Sequence, residues 1–244
     1  MKITIANTET AFDNLAAWRI IGQILNNSKS VIGLATGRTT LNMHLLISEI
    51  YEKNPFDIGQ VTFFGVDEVI NVPREYDGAC YTMLKKQLIN TLQVGEQNFI
   101  MPPTISDDPE RECKSFQEKI EQRGRVNLQV LGLGENGHIG FNQPGTPFES
   151  ETRIATMDKT LEERIRRETN SPADQMLAGL TLGIRTIMQS EKILLVAKGI
   201  AKAQIVKQVI EGPVTTDIPA SVLQLHPDCE ILLDKDAASL LGGV

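Results

Sequence analysis

The sequence predicts an α/β fold, a three-layer α/β/α sandwich around a mostly parallel sheet. Two observations carry this. Short apolar runs alternate along the chain with amphipathic segments of helical period, the pattern of strands joined by helical crossovers and covered on both faces. In addition, the residues that carry chemistry cluster directly after strand runs, and in open parallel sheets ligands collect outside the carboxyl ends of the strands. With 244 residues the chain can bury one sizeable core, so residues 1–244 are expected to form one domain.

In order, Lys2 to Ala6 reads as a strand, and Thr8 or Thr10 can cap a helix with Phe12, Leu15, Ala16, Ile20 and Leu25 at helical spacing. Ser30 to Ala35 is a compact β-branched strand run. It ends in Thr36-Gly37-Arg38-Thr39-Thr40 and passes into a helix carrying Leu41, Leu45, Leu46 and Ile50. A Gly/Thr turn at a helix start presents amide N–H groups, hydroxyls and a positive dipole end, a setting for a phosphate. Val61 to Val66 is the next buried strand, and it delivers Asp67-Glu68 at its carboxyl end before the turn-rich Asn71 to Gly78. Ala79 to Leu92 is helical in pattern. Pro102 to Asp108 is a loop ending in a cap signal, and Glu110 to Gln122 is a charged amphipathic helix.

Val126 to Leu133 is a strand run that opens the densest stretch, Leu131 to Gly145. Gly132, Gly134, Gly137 and Gly140 place four glycines in nine residues, more backbone freedom than a simple connection requires. His138 sits among the amides Asn136, Asn142 and Gln143, and imidazole exchanges protons near neutral pH. Beyond this loop, Asp158 to Thr169 is expected to be a charged helix, and Ala173 to Met188 has a mixed Leu/Ile pattern broken by Gly179 and Gly183. Lys192 to Ala197 is a strand. Lys198 to Lys202 leads into a helix ending near Glu211-Gly212-Pro213, a second helix begins at Pro219, and Cys229 to Leu233 is the last strand.

A formal charge of −7 without any Lys/Arg block argues against a nucleic-acid surface. Cys80, Cys113 and Cys229 lack CxxC or His-linked spacing, so neither a disulfide framework nor a metal site is expected. No apolar run approaches membrane-spanning length and Met1 to Asn7 has no signal-peptide pattern, so a cytoplasmic protein is expected. His44, inside a helix, and His226, in a Leu-His-Pro stop signal, read as structural. Asp67-Glu68 could simply end a strand, and Arg164, Arg166 and Arg167 could be a solvated helix face. Lys202 places a cation in a first helical turn, where it is unfavourable unless an anion lies nearby.

Taken together, L-A-T-G-R-T-T from Leu34, F-F-G-V-D-E from Phe63, L-G-L-G-E-N-G-H-I-G-F-N-Q-P-G from Leu131 and K-G-x-A-K-A from Lys198 resemble the glucosamine-6-phosphate deaminase/isomerase family. The resemblance runs from about Ile32 to Leu233. A weaker one, to the 6-phosphogluconolactonases, shares the G-H turn without the F-N-x-P continuation. What the family resemblance implies is a cofactor-independent, metal-free conversion of an amino-sugar phosphate to a keto-sugar phosphate with loss of ammonia. It also implies roles for residues. His138 would protonate the ring oxygen, Asp67 would move a proton between neighbouring carbons, and Thr36, Gly37, Arg38, Thr39, Arg167 and Lys202 would hold the sugar phosphate. The expected partner is that small molecule, with no nucleic acid and no membrane, and monomer and homo-oligomer both left open.

Two departures qualify this. The glucosamine enzymes carry Asp two residues before the histidine and Glu five after it, where this chain has Asn136 and Gln143. Losing two negative charges should lower the His138 pKa relative to those enzymes. The first amide also occurs in a galactosamine-6-phosphate isomerase branch. The rival readings are a lactonase, in which the same histidine activates water, and a catalytically silent sugar-phosphate sensor.

Allosteric hexameric members carry a Lys two positions after the Arg of a T-R-I segment, and here Thr152-Arg153-Ile154 is followed by Ala155. No activation by an N-acetylated hexosamine phosphate is therefore expected. Initial-rate curves with and without such an effector should superimpose, and a sigmoidal curve made hyperbolic by it would contradict this.

Overall fold

The computed structural model describes residues 1–157 and 159–242. In chain order the elements are β1 (Lys2–Ala6), α1 (Glu9–Asn26), β2 (Val31–Leu34), α2 (Arg38–Lys53), β3 (Thr62–Gly65), β4 (Asp67–Ile70), α3 (Cys80–Leu84) and β5 (Phe99–Ile100). They continue as α4 (Pro109–Glu121), β6 (Leu128–Gly132), β7 (Arg153–Ala155), α5 (Lys159–Thr169), β8 (Ala178–Thr181), α6 (Ile184–Met188), β9 (Ile193–Ala197), α7 (Ala203–Glu211) and β10 (Cys229–Asp234). A π-turn, Lys85–Ile89, extends α3, and 3-10 turns cover Glu96–Asn98, Ile200–Lys202 and Pro219–Leu225.

The central sheet has seven strands in the order β1-β10-β9-β6-β2-β3-β5, every neighbouring pair parallel. Its strands are apolar on both sides because both sides are covered. One face takes Ile32, Phe63, Val130, Leu194 and Leu232 against α1, α2 and α3 with its π-turn. The other takes Val31, Phe64, Leu131, Leu195 and Leu233 against α4, α6 and α7. Successive residues of a strand alternate between these two cores, which is the pleat expressed as packing. The three-layer α/β/α reading of the sequence is thus what the chain adopts.

Strand order decides where the sheet stays open. From β2 the chain steps to β3 and then β5 on one side. It returns with β6 to the other side of β2 and continues outward through β9 and β10. The connections after β2 and β6 therefore leave toward opposite sides, and a crevice opens between them at the carboxyl edge, the switch point where such sheets bind ligands.

A smaller antiparallel sheet, β4-β8-β7, and α5 form a lobe around Val69, Val72, Phe141, Met157, Ile165 and Leu177. Several details here differ from the sequence expectation. Asp67 and Glu68, expected at the carboxyl end of the Val61–Val66 strand, are the first two residues of a further strand, β4, paired with Thr181 and Leu180. Ala173 to Met188 divides into β8 and the short α6, its apolar density shared between a sheet and a helix too short to show a period. β5 and β7, of two and three residues, are too brief to show a strand pattern in the sequence. Asp158, the expected first residue of the α5 helix, lies outside the described residues. Lys202 closes a 3-10 turn ahead of α7 instead of sitting inside the helix.

Caps settle the remaining boundaries. Thr8, not Thr10, caps α1, its hydroxyl accepting from the Ala11 amide at 3.1 Å. Asp108 caps α4 by accepting from the Arg111 amide at 3.0 Å, with Pro109 opening the helix. Among the described residues no helix is long and apolar enough to cross a membrane.

Gly183 lets the β8–α6 corner close over the segment before β7. A Cβ there would lie 2.1 Å from the Ser150 carbonyl oxygen and 2.3 Å from that of Glu151, backbone that cannot turn aside as a side chain would. Gly183→Ala is expected to destabilise the fold by about 1–3 kcal/mol, measured by chemical denaturation; an unchanged transition would show that the corner is not packed this way.

Candidate functional site

Four adjacent strands, β9, β6, β2 and β3, point the same way and end at one edge. Each delivers a segment singled out in the sequence: Lys198–Lys202 after β9, the His138 loop after β6, Thr36–Thr40 after β2 and Asp67 just after β3.

The β2–α2 junction and the β9–α7 turn form a cationic corner. Gly37 (φ +134°) begins α2 with no side-chain cap, so the opening amides of the helix are donors without intrahelical acceptors. Arg38 is its first residue, and the first turn holds no acid. Across the crevice the Lys202 side chain is only 17% exposed, and its nearest carboxylate oxygen is Glu135 Oε1 at 4.0 Å. Burial lowers the Lys202 pKa; the Glu135 charge opposes that shift and the Arg38 charge reinforces it. Two cations whose charges act on each other beside a helix start are unfavourable unless an anion joins them, so the corner has the chemistry of a phosphate site.

Asp67 lies on the other side of β2. Its carboxyl is pushed up to about 6 by burial, opposed only by one hydrogen bond from Cys80. Glu68, fully buried, accepts from the amides of Val69 (2.9 Å), Cys80 (2.8 Å) and Tyr81 (2.7 Å). Burial nevertheless pushes it up to about 7, with the Asp67 charge contributing. The two neighbouring acids thus have different surroundings. Glu68 is consumed by backbone donors and pins the start of α3 to β4, whereas Asp67 keeps proton-accepting capacity near neutral pH.

The β6 loop is held by its own amides. Asn136 Oδ1 accepts from the His138 backbone N–H at 3.2 Å and lies 2.7 Å from His138 Nδ1. A backbone N–H can only donate, so this oxygen is an acceptor, and Nδ1 must carry the proton. Asn136 Nδ2 then donates to Gln143 Oε1 at 2.9 Å. The ring lies over Gly134, where a Cβ would fall 2.2 Å from Nδ1. Two residues after His138, Gly140 (φ +56°) passes the Asp67 carboxylate so closely that a Cβ would meet its Oδ2 at 3.5 Å and Thr181 Oγ1 at 2.7 Å. The imidazole loop and the carboxylate therefore share one edge, brought together across β2.

Asn142, fully buried, fixes the far end of the loop. Its Nδ2 donates to the carbonyls of Ile139 (2.9 Å) and Leu182 (2.8 Å), and its Oδ1 accepts from Arg153 Nη2 at 3.1 Å. Asn142, Arg153, Thr181 and Cys80 were not assigned these positions by sequence reasoning. Only the F-N-x-P spacing hinted at Asn142, and the others meet the site through pairings of distant segments.

Arg167 is exposed on α5, and among the described residues no hydrogen bond or ion pair joins it to the edge, whereas Arg166 and Arg164 pair with Glu162 and Glu168 on the same helix. His44 is buried beside Gln87 (3.0 Å), and burial drops its pKa to about 4. His226 accepts from the Asp228 amide through Nδ1 and so donates from Nε2 to the Ser190 carbonyl at 3.0 Å. Both lie away from the edge. Among the described residues no group of three His, Cys, Asp or Glu side chains could hold a metal ion.

Residues 8–231 match the family model described as glucosamine-6-phosphate isomerases/6-phosphogluconolactonase. The chain is 37% identical over 241 residues to a glucosamine-6-phosphate deaminase of Clostridium botulinum (strain Loch Maree / Type A3), covering 99% of each. It is 35% identical to that of Thermoanaerobacter pseudethanolicus, covering 99% of this chain and 95% of the relative. Among solved structures, a monomeric glucosamine-6-phosphate deaminase superposes with a TM-score of 0.92 at 30% identity, covering 99% of this chain and 100% of the other. A 6-phosphogluconolactonase from Trypanosoma cruzi superposes at 0.81 with 20% identity, covering 99% and 97%, which is likeness of fold.

Replacing Asn142 by Ala would remove three hydrogen bonds from a buried position, although the Ile139 carbonyl keeps the residue 142 amide (3.1 Å), the Leu182 carbonyl keeps the Thr181 hydroxyl (3.2 Å) and Arg153 keeps Thr146 (3.1 Å). A loss of about 2–3 kcal/mol is expected, read by denaturant unfolding; a cost near zero would mean that the loop is not held through this amide.

Proposed function

The chain belongs to the glucosamine-6-phosphate isomerase/6-phosphogluconolactonase family, and on that premise we propose that it converts a hexosamine 6-phosphate to a keto-hexose 6-phosphate and ammonia. The observation that carries this reading is the meeting, at the ends of four contiguous parallel strands, of a cationic corner, an imidazole of fixed tautomer and a carboxyl poised near 6.

The phosphate is held between the opening turn of α2, with Thr36, Gly37, Arg38 and Thr39, and Lys202, while Arg167 closes over it from α5 when substrate is bound. Anchoring the remote phosphate orients the sugar toward the crevice. His138 serves ring opening. With Nδ1–H fixed by Asn136, the lone pair of the neutral ring lies on Nε2, which takes the proton of the anomeric hydroxyl and returns one to the ring oxygen. Asn136, itself held by Gln143, orients the ring through amides that carry no charge of their own. Asp67 then removes the proton from C2 of the open aldehyde as the aldehyde oxygen takes one up from solvent, giving an enolamine, and delivers its proton to C1; the nitrogen releases a proton to solvent, leaving an imine at C2. Water adds to that imine and expels ammonia, producing the ketone.

Glucosamine 6-phosphate is the first substrate proposed, because the relatives carry that name; galactosamine 6-phosphate is the alternative. A cytoplasmic setting accords with three buried, unpaired cysteines. Ammonia release assayed over both hexosamine phosphates tests the proposal. Acid release from a sugar lactone without ammonia release would instead assign the lactonase reaction, and tight binding without turnover would assign a sensor.

Asp67→Asn is expected to lower turnover by roughly 10²–10⁴-fold with little change in phosphate affinity by calorimetry. In the unaltered protein the rate should fall as the pH drops through about 6, since Asp67 must be ionised to take the proton and burial has raised its pKa to that value. A limb near the ordinary carboxylate value, or undiminished activity of the Asn variant, would remove Asp67 from this role.

A further inference from the structure

Asp67 is held by a side chain that the proposed reaction does not use. Cys80, buried at the start of α3, directs its thiol at the carboxylate: Sγ lies 3.5 Å from Asp67 Oδ1 and accepts from Thr36 Oγ1 at 3.2 Å. Thr36 opens the turn that faces the cationic corner. A continuous chain of hydrogen bonds, hydroxyl to thiol to carboxylate, thus joins the two ends of the crevice across β2.

The backbone beneath it is fixed independently. Glu68 accepts from the Cys80 and Tyr81 amides, so the residue after Asp67 ties down the helix start that returns a thiol to Asp67. The thiol itself stays protonated, because burial, followed by the charges of Glu68 and Asp67, raises its pKa well above the usual range. It is therefore a donor to Asp67 and neither a nucleophile nor a base.

We propose that Cys80 is a positioning residue for Asp67: its S–H fixes the carboxylate orientation and couples it to the phosphate turn through Thr36, without removing its basicity. This rests on the proton-transfer role given to Asp67 above. The choice of sulfur has a physical reason. A thiol is a weak donor, so it directs an oxygen while favouring the ionised form only slightly, whereas a hydroxyl would favour it more and weaken the base. The elements packed around Asp67 supply few other titratable groups. Glu68 adjoins it on β4, β8 offers Thr181, the turn after β2 offers Thr36, and the β6 loop brings Gly140 with His138 two residues before it.

The test compares Cys80→Ala and Cys80→Ser with the unaltered protein by two readouts: the pH dependence of kcat/KM, and the carboxyl carbon titration of Asp67 by NMR in aspartate-labelled protein, assigned with Asp67→Asn. Cys80→Ala is expected to raise the Asp67 midpoint by about half a pH unit, the scale of one weak hydrogen bond to a charged group. It should lower kcat several-fold with KM within about twofold. Cys80→Ser, which keeps a donor, should leave the midpoint at or below its original value and restore most of kcat. An unmoved midpoint in Cys80→Ala, or the same upward shift in both variants, overturns the proposal. Should the unaltered protein release no ammonia, the proposed reaction fails, while the NMR titration still decides whether the thiol acts on Asp67. Should Cys80→Ala not fold, a Cys80→Ser midpoint raised above the original overturns the proposal and one at or below it supports it.

Discussion

The reversal of strand order between β2 and β6 is the constraint on which the rest of the molecule depends. Parallel strands require crossovers, and crossovers leaving in opposite directions cannot fill the space between their first residues. The edge at that point stays open, flanked by turns whose backbone is already committed to starting helices. Everything chemically distinctive lies within one strand of it: Arg38 and Thr36 after β2, His138 after β6, Lys202 after β9 and Asp67 after β3. The antiparallel lobe completes the arrangement by pairing Asp67 with Thr181, whose hydroxyl accepts from the Phe141 amide in the β6 loop at 3.1 Å.

Electrostatics divides that edge in two. On one side Lys202 and Arg38 repel each other, a standing cost that a doubly charged phosphate would relieve. On the other, burial pushes the Asp67 carboxyl up to about 6, with the Cys80 thiol as its hydrogen-bond partner among the described residues. Coulomb attraction favours the phosphate at the first place and the neutral, reactive end of a sugar at the second. Orientation of a substrate thus follows from where charge is tolerated as much as from shape.

The loop between these regions trades charge for geometry. Carboxylates at positions 136 and 143 would repel each other at hydrogen-bond distance, whereas Asn136 and Gln143 donate and accept in sequence and hold the His138 ring in one tautomer. Asn142 performs the same service at the loop's far end, where three hydrogen bonds bind it to Ile139, Leu182 and Arg153. Rigidity here comes from amides that need no counter-ion.

By itself the sequence determined the layers, the strand runs and the three loops of interest, because two-sided burial makes strands uniformly apolar and because glycine, threonine and histidine clusters have few uses at strand ends. It also placed Asp67 just past β3, the position at which β4 begins. What it could not contain was register across the sheet. That Cys80 returns to Asp67, that Glu68 is occupied by α3 amides, that β4 pairs with β8, and that the Arg38 charge acts on Lys202 are relations between segments roughly a dozen to well over 100 residues apart. No local period encodes them. They arise when closely packed layers admit one mutual placement, and it is that placement which occupies Glu68 with backbone donors and leaves Asp67 beside a thiol with its carboxyl pushed up to about 6.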